Sequence, residues 1–206
     1  MPTFFNFYIT MNGTEEKIKK ATIDLLLCDG NFGVTMKDIA NKSIVSRTVI
    51  HYYFRSKENL LAVVCDEIVE DLLRPKYQIL FTDYPFKQKI LNFIEHAEKV
   101  SEIYPYLDIF LVSQCKIYKN LQQYIDSTKE SFGMFVKEIC EAVTKEEISN
   151  QDPSNFIIDL LAISNYSSIY YDFIKKNDLG KIFNSDKTMF KHRKKHLYSY
   201  LFSNNK

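Results

Sequence analysis

Residues 35–60 read TMKDIANKSIVSRTVIHYYFRSKENL, and the spacing of their capping and apolar residues decides the fold. Thr35 can cap a short helix that carries Met36, Ile39 and Ala40, because its hydroxyl is placed to accept from the first unpaired amides. After a turn over residues 41–45, a second short helix begins at Ser46 and turns Val49, Ile50 and Tyr53 inward. Arg55 and Ser56 make a further turn. Lys57 then opens a longer helix with Leu60, Leu61, Val64, Ile68 and Leu72 along one face. Two short helices joined by about four residues, packed on a longer preceding one, let the second helix project into a major groove about 12 Å wide.

The outer face of that second helix shows Arg47, Thr48, His51 and Tyr52. The guanidinium of Arg47 can present a two-pronged donor to guanine, and Thr48 offers a hydroxyl or a methyl. His51 and Tyr52 suit phosphate oxygens, as does Lys57 at the start of the next helix. Thr35, at a helix N-terminus, adds a hydroxyl and free amides for a phosphate. Taken singly, each of these side chains fits an ordinary solvated surface equally well; the joint arrangement points to double-stranded DNA.

Upstream, Thr14 is placed to cap a first helix, with Glu15 and Glu16 in its opening turn and Ile18, Ala21, Thr22, Leu25 and Leu26 as its stripe. Gly30 ends it as a left-handed cap before a turn at Asn31, Phe32 and Gly33. Downstream, Pro75 is expected to stop or bend the helix opened by Lys57. A helix marked by Phe86, Ile90, Phe93, Ile94 and Ala97 follows, and another starts at Pro105. A long one carries Ile125, Thr128, Phe132, Phe135, Val136, Ile139 and Val143. Asp152 and Pro153 open a helix running towards Ile174. After Gly180 comes a final basic amphipathic helix with Met189, Phe190, Leu197, Tyr200 and Leu201.

Only five Gly and five Pro in 206 residues, with helix-period spacing nearly throughout, argue for an all-α chain. At 46% hydrophobic and 26% charged residues it belongs with folded proteins, which excludes disordered and collagen-like classes. Its net charge of +1 gives no global signature of nucleic-acid binding, so any basic surface is local. Residues 13–60 hold eight Lys or Arg against six Asp or Glu, a local excess of two.

Cys28, Cys65, Cys115 and Cys140 form no CxxC pair and sit in apolar stretches, which reads as buried free thiols in a reducing cytoplasm. The segment from Met1 to Met11 is apolar but too short to span a membrane and has no cleavage signature; it reads as a disordered extension, with Met11 an alternative start. No later run of about 18 apolar residues occurs, so a soluble, cytoplasmic protein without a membrane partner is expected. His192 and His196 sit one turn apart, but Lys191, Arg193, Lys194 and Lys195 surround them and would repel a metal ion. No GxSxG, HExxH, Gly-rich phosphate loop or paired-aspartate motif is present, so neither an enzyme nor a cofactor or metal site is expected.

The run over residues 35–60 resembles the DNA-binding domain of the TetR (tetracycline-repressor-like) family of bacterial transcription regulators. Thr35, Ile39, Ala40, Val45, Ser46, Ile50, Tyr53, Phe54, Ser56, Lys57, Glu58 and Leu60 match that pattern in order and spacing. The resemblance covers about residues 14–61 and implies DNA contacts by Thr35, Ser46, Arg47, Thr48, His51, Tyr52 and Lys57. Two positions depart from it. Ile44 stands where the family usually has Gly, and a β-branched residue at positive φ costs about 1–2 kcal/mol. His51 replaces the usual Tyr, making that phosphate contact shorter and pH-sensitive.

The resemblance further implies a homodimer acting on a near-palindromic operator, a ligand-responsive repressor being the commoner outcome, with an unidentified small-molecule effector held by the C-terminal helices. On this reading residues 1–13 are an extension, 14–61 a three-helix helix-turn-helix domain, and 62–206 a larger helical domain for effector binding and dimerisation. Phe93, Tyr104, Phe110, Tyr118, Phe132 and Phe135 could line an apolar effector cavity with His96 as polar anchor, or simply fill the core. Ser164 and Ser168 would let a partner helix approach, with Ile157, Leu160, Leu161 and Tyr171 supplying area, or serve internal packing. A TetR-like adaptor or small-molecule-binding protein without specific operator binding is the alternative.

Overall fold

The computed structural model describes residues 13–148, 152–176 and 193–202, and every regular element among them is helical. Helix α1 spans Thr14–Ile23. Thr14 does not cap it: the Lys17 amide donates to the Gly13 carbonyl at 3.2 Å, so the helix starts one residue earlier and Gly13 holds the cap position. The stripe of Ile18, Ala21, Thr22, Leu25 and Leu26 is buried as expected. From Asp24 to Cys28 the helix widens into a π turn, with the Asp29 amide reaching back five residues to the Asp24 carbonyl at 3.0 Å. Gly30, at φ 67°, then closes it left-handed, and the Asn31 amide donates to the Leu25 carbonyl at 2.9 Å.

Helices α2 (Met36–Ser43), α3 (Arg47–Phe54) and α4 (Lys57–Glu67) follow, and α1 packs against all three. Ile39, Ile50, Phe54 and Leu60 meet Ile18 and Leu26 in their shared core. Residues 41–43 belong to α2, so the connection to α3 is Ile44, Val45 and Ser46, shorter than the spacing suggested. Tyr53 is not inward but 41% exposed; α3 begins at Arg47 and places Phe54, one turn after Ile50, in the core instead.

Pro75 does not stop the chain. Helix α4 runs on through a second π turn, Ile68–Leu73, into α5 (Arg74–Gln78) and a 3₁₀ turn, Ile79–Phe81. The Arg74 amide already reaches five residues back to Val69, so the hydrogen-bond ladder is offset where the amide missing from Pro75 would fall. The remaining helices are α6 (Phe86–Ile103), α7 (Leu107–Gln114), α8 (Lys119–Thr144), α9 (Pro153–Lys176) and α10 (Arg193–Phe202). Asp152 caps α9 through the Ser154 amide at 2.8 Å. Helix α9 packs on α6 and α8, and α10 on α9 and α6. Gly180, Met189, Phe190 and His192 lie outside the described residues, as does the segment from Met1 to Met11.

One contiguous core runs from Ile18 through Val64, Ile68 and Leu73 to Leu201, so α4 belongs to both parts of the chain. A second join lies at the end of α1. The Tyr106 amide donates to the Leu27 carbonyl at 3.0 Å, the Cys28 thiol to the Ile103 carbonyl at 3.3 Å, and Phe32 meets Phe110 at 5.6 Å. The Tyr106 ring lies on Gly30, where a Cβ would come within 2.8 Å of it. All four cysteines are free, but only Cys65 is buried; Cys28 and Cys115 are half-buried and Cys140 is exposed, since α8 turns it away from Ile139. Burial pushes the Cys28 thiol up to about 11 and that of Cys65 to about 12, which leaves both protonated at neutral pH.

Candidate nucleic-acid interface

Helices α2, α3 and α4 are each fixed at the start by a hydroxyl side chain. Thr35 accepts from the Asp38 amide at 3.2 Å, while its own amide and hydroxyl donate to the Asp38 carboxylate at 2.8 and 2.7 Å. This reciprocal cap holds the Asp38 carboxyl below its ordinary range, through the Thr35 hydroxyl and amide. In this structure the Thr35 amide and hydroxyl proton are thus both taken by Asp38. Ser46 accepts from the Val49 amide at 3.3 Å and Ser56 from the Asn59 amide at 3.1 Å. The Ser46 hydroxyl keeps a proton to donate, whereas that of Ser56 serves the Glu58 carboxylate.

Between these caps, α3 buries Ile50 and Phe54 and exposes Arg47, Thr48, His51 and Tyr52 together on its outer side. Tyr52 is 68% exposed, and its ring is held edge-on by Tyr53 at 5.4 Å. Lys57, half-buried, opens α4. Among the described residues, Arg47, Arg55 and Lys57 have no carboxylate within ion-pair distance, whereas Lys42 pairs with Asp29 and Lys19 with Glu16 and Glu67. Three cations outside any ion pair among the described residues thus stand around α3, with the Asp38 and Glu58 carboxylates near Lys57.

Both ends of α3 are turned by non-glycine residues at positive φ. Ile44 lies at φ 57°, ψ 41°, with 93% of its surface exposed, and the Val45 amide closes the turn on the Ala40 carbonyl. Exchanging Ile44 for Gly removes the left-handed strain of about 1–2 kcal/mol and adds chain entropy to the unfolded state, so a net gain of about 0.5–1 kcal/mol is expected. Chemical denaturation of the I44G variant checks it; a loss of stability would mean that Ile44 makes a contact worth more than its strain. At the other end, Arg55 sits at φ 64°, ψ −43°, a tight turn in which the Ser56 amide donates to the Phe54 carbonyl at 2.7 Å. Sequence spacing marked a turn there but gave no sign of its handedness.

The residues expected around an effector fall into three aromatic groups. Phe93 and Phe132 flank Tyr77, with Phe81 against Phe132; Phe135 joins Phe86 and Phe156; Phe110 stacks on Tyr118. Tyr104 is buried beside them, and burial with the nearby Lys76 and Lys99 charges pushes the His96 imidazole down to about 4, so it is neutral. A polar cluster that sequence reading missed lies among them. Lys76, fully buried, pairs with Asp108 at 2.5 Å, and the Tyr77 hydroxyl donates to the other oxygen of that carboxylate at 2.7 Å. Its position four residues after Leu72, on the buried stripe, was the available signal.

Of the residues expected at a dimer face, Leu160 and Ser164 are buried within the chain itself, and Ile157 and Leu161 are half-buried against the core. The side chains of Ser168, Tyr171 and His196 lie outside the described residues. The same helix instead exposes Ile158, Tyr170 and Phe173. Among the described residues no helix is long and apolar enough to cross a membrane.

Comparison with known proteins places this geometry. Residues 18–64 match the sequence profile of the bacterial regulatory proteins of the tetR family. An uncharacterized HTH-type transcriptional regulator from the dhlA 5′ region of Xanthobacter autotrophicus is 33% identical over 75 residues, 35% of this chain and 37% of that relative. The likeness thus spans little more than a third of the curated relative's length. A transcriptional regulator from Saccharomonospora viridis, solved in complex with choline, shares the fold with a TM-score of 0.56 at 14% identity, over 92% of this chain and 96% of its own. A TetR transcription regulator from Haloarcula marismortui does so at 0.52 and 14%, over 91% and 96%.

Proposed function

This chain belongs to the tetR family of bacterial regulatory proteins, and on that premise we propose that it is a ligand-responsive repressor acting as a homodimer on a near-palindromic operator. The observation that carries the reading is the outer side of α3: Arg47, Thr48, His51 and Tyr52 stand exposed beside the buried Ile50 and Phe54, with cations at both ends that form no ion pair among the described residues. A helix so presented can enter a major groove, Arg47 reading guanine and Thr48 a neighbouring base, while Ser46, His51, Tyr52 and Lys57 hold phosphates. Thr35, engaged with Asp38, serves the reader as a cap.

On the same reading residues 14–61 form the reader and 62–206 the effector-binding and dimerising part, in a cytoplasmic protein. The two are joined by α4 and by the seat of Gly30 on Tyr106, so a ligand that favours one arrangement of α6 and α7 has a short route to the reading helix. Exposed Ile158, Tyr170 and Phe173 supply apolar area for a second copy.

Selecting bound duplexes from a random DNA pool with the purified protein tests the function. An enriched palindrome with half-sites about one helical turn apart, or slightly more, supports dimeric operator recognition. No enrichment by a folded, dimeric protein would favour a TetR-like adaptor that has lost specific DNA reading.

A further inference from the structure

We propose that Arg55 is a further DNA-binding residue, a phosphate clamp at the C-terminal end of the reading helix, within the DNA-binding reading given above. Three independent features lead to it. The first is conformational: Arg55 occupies φ 64°, ψ −43°, a backbone shape that disfavours any side chain, at a position where glycine would be relaxed. The second is electrostatic. Arg55 is exposed and, among the described residues, has no carboxylate within ion-pair distance, so its charge is not spent on an ion pair there.

The third is orientation. The guanidinium carbon lies 5.9 Å from the centre of the Tyr52 ring, and Tyr52 is itself braced by Tyr53. A guanidinium held over an aromatic ring still has N–H donors to offer two phosphate oxygens. The positive-φ turn is what brings the side chain back over α3 instead of letting it follow the chain into α4. Arg55 thereby joins the Tyr52 hydroxyl and the Lys57 ammonium as phosphate-competent donors around the C-terminal end of α3. Arg47 and Thr48 stand at the opposite, N-terminal end, where base edges are read. The ligand of Arg55 is the duplex backbone, which carries no sequence information, so its contribution is the same for every sequence.

The test measures affinity over a range of salt concentrations for wild type and the Arg55→Gly, Arg55→Lys and Lys57→Ala variants, on both a selected operator and a random duplex. Arg55→Gly relaxes the backbone and removes the charge. Its melting temperature is expected to equal or exceed that of wild type, so lost binding cannot be put down to lost folding. One fewer phosphate contact in each protomer lowers the slope of log K against log salt by about 1.8 for the dimer on both duplexes. Arg55→Lys keeps the charge and is expected to retain most of the slope. An Arg55→Gly slope equal to wild type, while Lys57→Ala reduces it, overturns the assignment and leaves the DNA-binding reading intact. Absence of salt-dependent binding by wild type overturns both.

Discussion

Replacing Lys76 by Ala is expected to destabilise the chain by about 3–5 kcal/mol, read as a shift of the urea midpoint at unchanged cooperativity. The ammonium is fully buried and meets Asp108 at 2.5 Å, with the Tyr77 hydroxyl on the second carboxylate oxygen. Burial pulls the Lys76 ammonium below its ordinary range against the opposing attraction of Asp108; burial and the same carboxylate push the Tyr77 hydroxyl well up. Removing the cation leaves a carboxylate that is only 15% exposed with one neutral donor, while deleting the long side chain opens a void between α5 and α7. Lys76→Met combined with Asp108→Leu removes both charges and fills the space, and is expected to cost far less than the single change. Equal losses in single and double variants would show that the ion pair itself carries the stability and that refilling the space does not replace it.

The second large effect concerns DNA. Arg47→Ala is expected to weaken operator binding by about 1–3 kcal/mol, roughly 5- to 150-fold, with the loss confined to one base position in each half-site. Lys57→Ala should weaken operator and random duplexes alike and flatten the salt dependence. The contrast follows from placement: Arg47 is the first residue of α3, exposed and unpaired among the described residues, whereas Lys57 opens α4 beyond the end of the reading helix. Competition binding against operators changed one base pair at a time distinguishes the two. An Arg47→Ala variant that binds the selected site as tightly as wild type would remove Arg47 from base reading.

These expectations rest on a part of the molecule that local chemistry makes legible. Ser46 and Ser56 cap the helices they precede, Gly30 adopts the left-handed turn that only its lack of a side chain makes cheap, and Ile44 sits at the positive φ that its alignment implied. What sequence reading missed depends on contacts distant in the chain or on backbone states without a residue signature. Tyr53 was turned inward because it fits an apolar stripe, but Phe54 fits the space over Ile50. Nothing in the sequence says that Asp38 takes the amide and hydroxyl of Thr35. Lys76 reads as a solvent residue until α7, more than thirty positions later, brings Asp108 to it. Leu160 and Ser164 likewise fit a partner helix as well as they fit α6 and α8, and only the assembled chain shows them covered.

The widened turn at Ile68–Leu73 bears on how one helix serves two bodies. The buried positions Val64, Ile68, Leu72, Lys76 and Leu80 recur every fourth residue. On a regularly wound helix such a series drifts by about 40° at each step and swings roughly 160° over the whole run. Leu80 would then point away from the side on which Val64 meets α1. A turn holding one residue more takes up most of that drift, acting as a phase corrector between the reader and the helices beyond it. Removing a single residue from this turn is expected to leave both ends helical and yet aim them differently, so the length of this turn bears on how the first four helices are set against those beyond it.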